Sequence, residues 1–148
     1  MKKIYLASPF FNDIEIARME AVRDILRNEK DLQVFVPNEH QNKHLEFGSK
    51  EWRKATWQGD VDGIKGADVV VAIISNGNYS DSGTAWECGY AYANNIPVVV
   101  VNLSDSENPT AINLMISDSL HAYINNLESL RSYDFNNMPV ITYDNYVW

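Results

Sequence analysis

The segment Asp68-Val69-Val70-Val71-Ala72-Ile73-Ile74 is an almost unbroken apolar run. Such a run is typical of a strand buried on both faces, because helices cover both sides of a parallel sheet. Turn-forming residues follow over positions 75–83, and the pattern over 84–95 predicts a helix. A doubly buried strand that leads into a helix indicates an α/β fold.

The same alternation extends in both directions along the chain. Apolar runs predict further strands at residues 4–7, 34–36 and 97–103, and helical spacing predicts helices from residue 12 or 13 to about 28 and from a Ser49 cap to 65. Downstream, the patterns predict a helix at 112–123, a helical turn at 127–130 and an edge strand at 140–142. No repeat or linker divides the chain. We therefore predict one domain over residues 1–148, a doubly wound, flavodoxin-like parallel β-sheet flanked by helices.

The composition argues against several classes of partner. The 148 residues carry a net charge of −8, whereas binding to nucleic acid or to an anionic membrane needs a basic face. No apolar run approaches the roughly 18 residues of a membrane span, and the basic amino terminus leads into a first strand rather than a signal peptide. The single cysteine, Cys88, suits a reducing compartment. We expect a cytoplasmic protein without nucleic-acid or membrane partners.

The sequence lacks the usual cofactor motifs. The segment Ala7-Ser8-Pro9-Phe10-Phe11 follows the first strand but contains no glycine, so neither a dinucleotide fingerprint nor a phosphate-binding loop is present. Its two phenylalanines either stack on a flat ligand ring or pack in the core. His40, His44 and Glu46 lie close together in a polar loop, but this loop does not provide a convincing metal-ligand set. We expect neither an organic cofactor nor a metal ion.

Glu87 is the strongest candidate for chemistry. It follows the central strand and lies in the first turn of the predicted helix, at the end of the sheet where open α/β folds place their ligand sites. The partial positive charge of a helix amino terminus favours an ionised carboxylate, which a nucleophile requires. The competing interpretation is structural, because Thr84-Ala85-Trp86-Glu87 matches a capping box with Glu87 at the third helical position.

Two further carboxylates are candidates for the same crevice. Asp81 ends the loop before this helix, where a turn or a helix cap is the alternative. Asp60 lies late in the preceding helix, where a solvated face is the alternative, and neighbouring Asp62 fits that face better. Asp68 starts the central strand and therefore lies at the wrong end of the sheet.

Four segments, in this order, point to a family. They are Ile4-Tyr5-Leu6-Ala7-Ser8-Pro9-Phe10-Phe11, Gly59-Asp60-Val61-Asp62-Gly63-Ile64-Lys65, Asp81-Ser82-Gly83-Thr84-Ala85-Trp86-Glu87-Cys88-Gly89-Tyr90-Ala91 and Ile112-Asn113-Leu114-Met115. Together they resemble the nucleoside 2-deoxyribosyltransferases of the class that accepts both purines and pyrimidines, over nearly the whole chain. The resemblance favours a catalytic role for Glu87 over capping alone.

The resemblance implies a double displacement without a metal or organic cofactor. Glu87 would attack C1′ of a 2′-deoxynucleoside and release the base, and a second base would attack the covalent deoxyribosyl-enzyme from the same face, which retains the configuration. Tyr5 would orient Glu87. Asp60 and Asp81 would hold the base edge or the sugar hydroxyls, and one of them would donate a proton to the departing base. The implied biological role is nucleoside salvage.

The resemblance also implies the ligands and their contacts. The ligands are 2′-deoxynucleosides and free nucleobases; Gln41 matches a glutamine that contacts the base, and Phe10 would form part of the base-stacking wall. Asn113 and Met115 match residues that a neighbouring subunit donates, which implies a homo-oligomer, either a dimer or a hexamer. The other expected substrate-binding residues are Ser8, Gly83 and, through the carboxyl terminus, Trp148.

Two rival functions fit the same fold. A 2′-deoxynucleoside 5′-monophosphate N-glycosidase would use water as the acceptor. This chain has no glycine-rich loop after its first strand to bind the substrate's phosphate, and an Asp81 carboxylate near the 5′ position would repel that phosphate. A non-catalytic flavodoxin-like binding module would use the crevice without a nucleophile. That reading leaves the combination of Tyr5, Asp60, Asp81 and Glu87 unexplained.

Overall fold

Five parallel strands form a single sheet within residues 1–74, 81–104 and 111–147, which the computed structural model describes. The strands are β1 (Lys3–Ala7), β2 (Gln33–Phe35), β3 (Val69–Ile74), β4 (Val98–Asn102) and β5 (Ala122–Ile124). Their order is β2-β1-β3-β4-β5, and each neighbouring pair is parallel. This is the strand order of flavodoxin-like doubly wound folds, so the predicted fold class is confirmed.

Helices connect the strands and cover both faces of the sheet. They are α1 (Asp13–Asp24), which continues into a π-helical turn (Ile25–Glu29), then α2 (Lys50–Lys65), α3 (Ser82–Ala93), α4 (Leu114–Ser117) and α5 (Leu127–Ser132). The predicted caps of α1 and α2 are confirmed, because Asn12 and Ser49 each accept a hydrogen bond from a backbone N–H of the first turn. Among these helices, none combines the length and apolarity needed to cross a bilayer.

Alternate residues of each strand build two hydrophobic layers. Ile4 and Leu6 of β1 pack in the layer that contains Met19 and Val22 of α1. Tyr5 and Ala7 belong to the opposite layer, whose helical members are Ile64 of α2, Cys88 and Ala91 of α3, and Ile116 of α4. The alternation of a strand therefore turns Tyr5 towards the two helices that carry Asp60 and Glu87.

The region after β4 differs from the sequence prediction. The helix predicted over residues 112–123 is wrong, because helical geometry is confined there to α4, and Ala122–Ile124 form β5 beside β4. The strand predicted at 140–142 contributes a single bridge, between Ile141 and Ala122. α4 and β5 are both too short for hydrophobic periodicity to separate strand from helix.

The winding of the chain reverses between β1 and β3. From β1 the chain crosses to β2 on one side, and from β3 it crosses to β4 on the other, although β1 and β3 are neighbours. Doubly wound folds bind ligands in the crevice that opens at the carboxyl ends of such strands. Asp81, the cap of α3, begins the second described range; positions 75–80 of the predicted loop lie outside the described residues.

Candidate active site

Asp81 caps the helix that carries Glu87. Its Oδ2 accepts hydrogen bonds from the Thr84 N–H (2.8 Å) and the Thr84 hydroxyl (3.0 Å), and α3 begins at Ser82. The capping box predicted from Thr84 to Glu87 is therefore wrong, since Thr84 itself occupies the third helical position. Glu87 lies in the second turn of α3, and its carboxylate does not cap the helix.

Gly83 allows this cap to form. A Cβ at position 83 would lie 3.2 Å from Asp81 Oδ2, which is closer than ordinary van der Waals contact. Glycine at position 83 therefore leaves room for the Asp81 carboxylate at the helix start. Its assignment to substrate binding stays a prediction.

Tyr5 and Glu87 meet at the centre of the crevice. Tyr5 is completely buried in β1, and its hydroxyl donates a hydrogen bond to Glu87 Oε2. Burial, followed by the charges of Glu87 and Asp60, holds the pKa of Tyr5 well above its ordinary value, so the phenol keeps its proton at neutral pH. The predicted pair is thus brought together in the geometry that orients a carboxylate.

Burial sets the ionisation of Glu87. It raises the pKa of the carboxyl to about 7; the Tyr5 hydrogen bond lowers it, and the charges of Asp60 and Asp81 raise it further. The sequence predicted that the helix amino terminus would favour the ionised form. That expectation is wrong in direction, because the macrodipole acts mainly in the first turn and Glu87 lies beyond it, in a desolvated crevice.

Asp60 shares this environment. It is half-buried, and burial raises its pKa to about 6, while the nearby His40 charge lowers it. Its neighbour Asp62 is exposed and accepts a hydrogen bond from Gln58 Nε2 at 2.8 Å, so the solvated face of α2 is at Asp62. The charges of Asp60 and Asp81 therefore both act on Glu87, and such clusters of interacting carboxylates with perturbed pKa values are typical of functional sites.

Cys88 does not compete with Glu87 as a nucleophile. Its side chain is buried in the core layer beneath α3, and burial raises the pKa of the thiol to about 12. A thiol that keeps its proton at neutral pH is unreactive.

The residues after β1 are partly committed to packing. Phe10 packs against the core layer beneath α1 and stacks on Phe11, with ring centroids 5.4 Å apart. Ser8 is buried, and its hydroxyl donates to the Pro9 carbonyl at 2.9 Å. The core-packing interpretation of Phe10 thus has support, and the base-stacking role of Phe10 and the ligand role of Ser8 remain predictions.

Gln41 is held by its own loop. Its Nε2 donates to the backbone carbonyl of Asn38 (2.7 Å) and to Asn38 Oδ1 (2.5 Å). The backbone carbonyl of Gln41 accepts a hydrogen bond from Trp52 Nε1 (2.9 Å). Trp52 joins this loop to α2 and is half-buried. A base contact through Gln41 Nε2 would require this group to exchange Asn38 for the ligand.

Asn113 and Met115 lie on a separate groove. The groove has a volume of about 750 Å³ and is formed by Ala85, Cys88, Gly89, Tyr92, Asn113, Leu114, Met115, Ile116, Asp118 and Ser119. Asn113 Oδ1 accepts the Met115 N–H at 2.9 Å, and the Met115 side chain is 76% exposed. Glu87 is not among the residues that line this groove, and Trp148 lies outside the described residues.

The structure also adds residues that the sequence patterns did not select. Phe35 stacks on Tyr5 and on His40, and Gly63 of α2 faces the Tyr5–Phe35 pair. The signal available in the sequence was the alternation of β2, which places Phe35 on the same face as Tyr5 once the two strands are neighbours. Within the described ranges, no group of three or more His, Cys, Asp or Glu side chains is arranged to hold a metal ion.

Comparisons with known proteins agree on one family. The family model for nucleoside 2-deoxyribosyltransferase matches residues 4–127. A nucleoside deoxyribosyltransferase of Limosilactobacillus fermentum is 29% identical over 146 residues, which cover 90% of this chain and 86% of that protein. A nucleoside deoxyribosyltransferase of Lactobacillus johnsonii is 32% identical over 121 residues, or 77% and 79% of the two chains.

Solved structures extend the comparison to the fold. A 2-deoxyribosyltransferase of Bacillus psychrosaccharolyticus is 42% identical, with a TM-score of 0.88 over 95% of this chain and 98% of that one. A CMP N-glycosidase of Clostridium botulinum, 20% identical with a TM-score of 0.53 over 83% and 87% of the two chains, shares only the fold. From the family match and these relatives, the chain is a member of the nucleoside 2-deoxyribosyltransferase family of enzymes.

Proposed function

We propose that this enzyme transfers the 2-deoxyribosyl group from a 2′-deoxynucleoside to a purine or pyrimidine base, through a covalent bond to Glu87 and with retention. The observation that carries the proposal is the part-buried hydrogen bond between Tyr5 and Glu87, which lies within electrostatic reach of Asp60 and Asp81. The named activities of the relatives support the deoxyribosyl group as the cargo.

Glu87 supplies the electron pair for the first displacement. The Tyr5 hydroxyl holds Oε2, so we assign Oε1 to the attack on C1′. The C1′–N bond breaks as positive charge develops on the sugar ring, and the adjacent carboxylate stabilises that charge. A second base then displaces Glu87 from the face that the first base left, and two inversions give retention.

Asp60 is the proton donor in this proposal. Its pKa of about 6 places the gain and loss of a proton close to neutral pH, which suits a general acid. Asp81 Oδ2 is already engaged by Thr84, so Asp81 is assigned to capping and to a contact with the sugar or base. The same Asp60 carboxylate would take a proton from the incoming base in the second step.

A neighbouring subunit completes the site in this proposal. Met115 is strongly exposed beside the apolar groove between α3 and α4, and Leu114 and Tyr92 on the same groove are also exposed. A homo-oligomer, as a dimer or hexamer, would cover these residues and bring Asn113 and Met115 to the site of the next subunit. The enzyme is proposed to act in the cytoplasm, on deoxynucleosides and free bases.

Base exchange tests the function directly. The protein is mixed with thymidine and adenine, beside a thymidine-only control and a 5′-monophosphate donor, and the products are separated by chromatography. The expected products are 2′-deoxyadenosine and thymine, and Glu87→Ala should form neither. Free base and deoxyribose 5-phosphate, formed chiefly from the phosphorylated donor, would instead establish an N-glycosidase. Ligand binding without chemistry in the wild type would establish a binding module.

A further inference from the structure

Three aromatic rings form a stack that includes the ring of Tyr5. Phe35 lies beside Tyr5, with ring centroids 5.5 Å apart and 12° between the ring planes. Phe35 also stacks on His40, at 4.3 Å and 5°. Phe35 is thus the ring that contacts both of the others, and both contacts are close to parallel.

Local structure explains how these rings meet. The parallel register of β1 and β2 aligns Tyr5 with Phe35, so the two side chains project from the same face of the sheet. A 3₁₀ turn (Pro37–Glu39) follows β2, and the His40 N–H donates to the Pro37 carbonyl at 2.9 Å. This turn folds the chain back so that the His40 ring reaches Phe35.

Gly63 of α2 leaves the space that the ring pair occupies. A Cβ at position 63 would lie 3.1 Å from Phe35 Cδ1, Phe35 Cε1 and Tyr5 Cδ2, so both rings would have to move. Gly59, one turn earlier on the same helix, would place a Cβ within 4 Å of no other group. Glycine weakens a helix interior, so position 63 has a steric reason for glycine that position 59 lacks.

We propose that Phe35 and Gly63 are positioning residues for deoxyribosyl transfer: Phe35 braces the Tyr5 ring and Gly63 admits the pair, which together hold the Tyr5 hydroxyl against Glu87. The tyrosine ring is rigid, so a displacement at Cδ2 is carried to the hydroxyl on the same ring. This inference rests on the proposed role of Glu87 as the nucleophile.

The position of the hydroxyl has a chemical consequence. The Tyr5 hydrogen bond acts against burial and lowers the pKa of Glu87. Loss of that bond would leave a larger share of Glu87 protonated at neutral pH, and a protonated carboxyl does not attack C1′. Displacement of the ring pair should therefore change the pH dependence of the reaction as well as its rate.

Gly63→Ala tests the proposal, with Gly59→Ala as the matched control. Both substitutions improve the helix propensity of α2, but only the first presses on Tyr5 and Phe35. We expect Gly63→Ala to lower kcat about tenfold, because small displacements of reacting groups have large kinetic effects. The acidic limb of its kcat/KM profile should move to higher pH, whereas Gly59→Ala should match the wild type in both.

A second pair of variants separates ring stacking from packing volume. Phe35→Leu keeps an apolar side chain but removes the ring, and should reproduce both effects of Gly63→Ala. Phe35→Tyr keeps the ring at a position that lines a groove of about 360 Å³, so this variant should retain wild-type kinetics. If Gly63→Ala does not fold, the Phe35 pair decides the question alone.

An assay that needs no turnover separates this inference from the proposed function. The pKa of the Glu87 carboxyl is measured by ¹³C NMR, with its resonance assigned through Glu87→Gln. A higher Glu87 pKa in Gly63→Ala or Phe35→Leu supports positioning even if the wild type exchanges no bases, an outcome that would refute only the transferase proposal. An unchanged Glu87 pKa in both variants would overturn the positioning role.

Discussion

Tyr5 and Glu87 meet between the centre of the sheet and the helix above it, and the tyrosine hydroxyl donates a hydrogen bond to Oε2 of the carboxylate. The two residues come from β1 and α3, so their contact depends on the whole doubly wound fold. Because this bond lowers the pKa of Glu87 while burial raises it, the pair determines what share of the Glu87 carboxyl is ionised near neutral pH.

Removing the hydroxyl should weaken catalysis and shift its pH dependence. In Tyr5→Phe the Glu87 pKa rises, so the acidic limb of kcat/KM should move to higher pH, and kcat should fall by about 10- to 100-fold. The measurement is steady-state base exchange between pH 5 and 9. Tyr133→Phe is the control. The Tyr133 hydroxyl donates to the Pro139 carbonyl, and Tyr133 lines the same surface groove as Lys2, which precedes β1. An unmoved acidic limb in Tyr5→Phe would contradict the orienting role.

The charge of Asp60 raises the Glu87 pKa, whereas the Tyr5 hydrogen bond lowers it. The wild type is expected to lose kcat/KM as the pH falls, when Glu87 takes up its proton, and again as the pH rises, when Asp60 loses its own proton. Asp60→Asn removes a charge that raises the Glu87 pKa, so its acidic limb should move to lower pH. Its kcat should fall by about 100-fold, because the proposed proton donor is lost.

Asp62→Asn is the matched control for Asp60→Asn. It changes the same charge two residues along α2, on the exposed side where Gln58 binds it. Asp62→Asn should leave both the acidic limb of kcat/KM and the value of kcat close to those of the wild type. A shift of the Asp60→Asn limb to higher pH would show that Asp60 does not act on Glu87 as proposed.

Glu87 should make the wild type less stable as the pH rises. The folded protein holds the Glu87 proton up to about pH 7, whereas the ordinary value is 4.5, so its stabilising effect is complete below pH 4.5 and is lost by about pH 7. Glu87→Gln lacks this titration and keeps an oxygen for the Tyr5 hydroxyl. Between pH 4.5 and 7 the free energy of unfolding of Glu87→Gln, measured in urea, should rise relative to that of the wild type by about 3 kcal/mol. A difference that does not vary with pH would contradict burial as the cause of the raised pKa.

Asp81 should separate helix capping from ligand contact. Asp81→Ala removes the acceptor of the Thr84 N–H and should cost about 1 kcal/mol of stability. Asp81→Asn keeps an acceptor oxygen and removes only the charge, so its stability should match the wild type while kcat/KM falls about tenfold. Thermal unfolding and base exchange measure the two effects. Equal loss of stability in both variants would mean that the charge itself, rather than the cap, holds α3.

Mixed oligomers should test whether subunits share a site. Glu87→Ala and Asn113→Ala are each expected to be nearly inactive. When co-expressed as dimers, half should be mixed, and each mixed dimer has one complete site, so activity should return to about a quarter of the wild type. Glu87→Ala co-expressed with Asp60→Asn is the control and should not recover, because both residues belong to one subunit. Absence of recovery in the first mixture would place Asn113 in its own subunit.

The long strands could be predicted from the sequence because burial on both faces leaves an unmistakable pattern. The runs at β3 and β4 consist almost entirely of β-branched residues, and both strands lie where predicted. The three residues of β5 leave no such pattern, so the helix predicted over residues 112–123 includes the first two of them. The strand is defined by its pairing with β4, which is a tertiary contact.

The candidate site shows the same division. The carboxylates could be selected from their positions in the loop after β3 and within helices, and Tyr5 from the family resemblance. The structure joins Tyr5 to Glu87 and brings Asp60 and Asp81 within electrostatic reach of Glu87. The capping box failed because Asp81 competes for the same amides three residues earlier, and spacing alone cannot decide between two acceptors. The raised pKa of Glu87 and the space left by Gly63 depend on the sheet packing against α2 and α3, which no local pattern contains.

Because Asp81 secures the start of α3, position 87 can be altered without unwinding the helix. With Glu87 as the proposed nucleophile, an amide or methyl group there should give an intact but unreactive crevice, in which a nucleoside donor is captured before its glycosidic bond breaks. Crystals of such a protein would record how donor and acceptor bases are held by the same walls. The position is equally open to redesign, since a different side chain at 87 changes the chemistry while the scaffold that presents it stays in place.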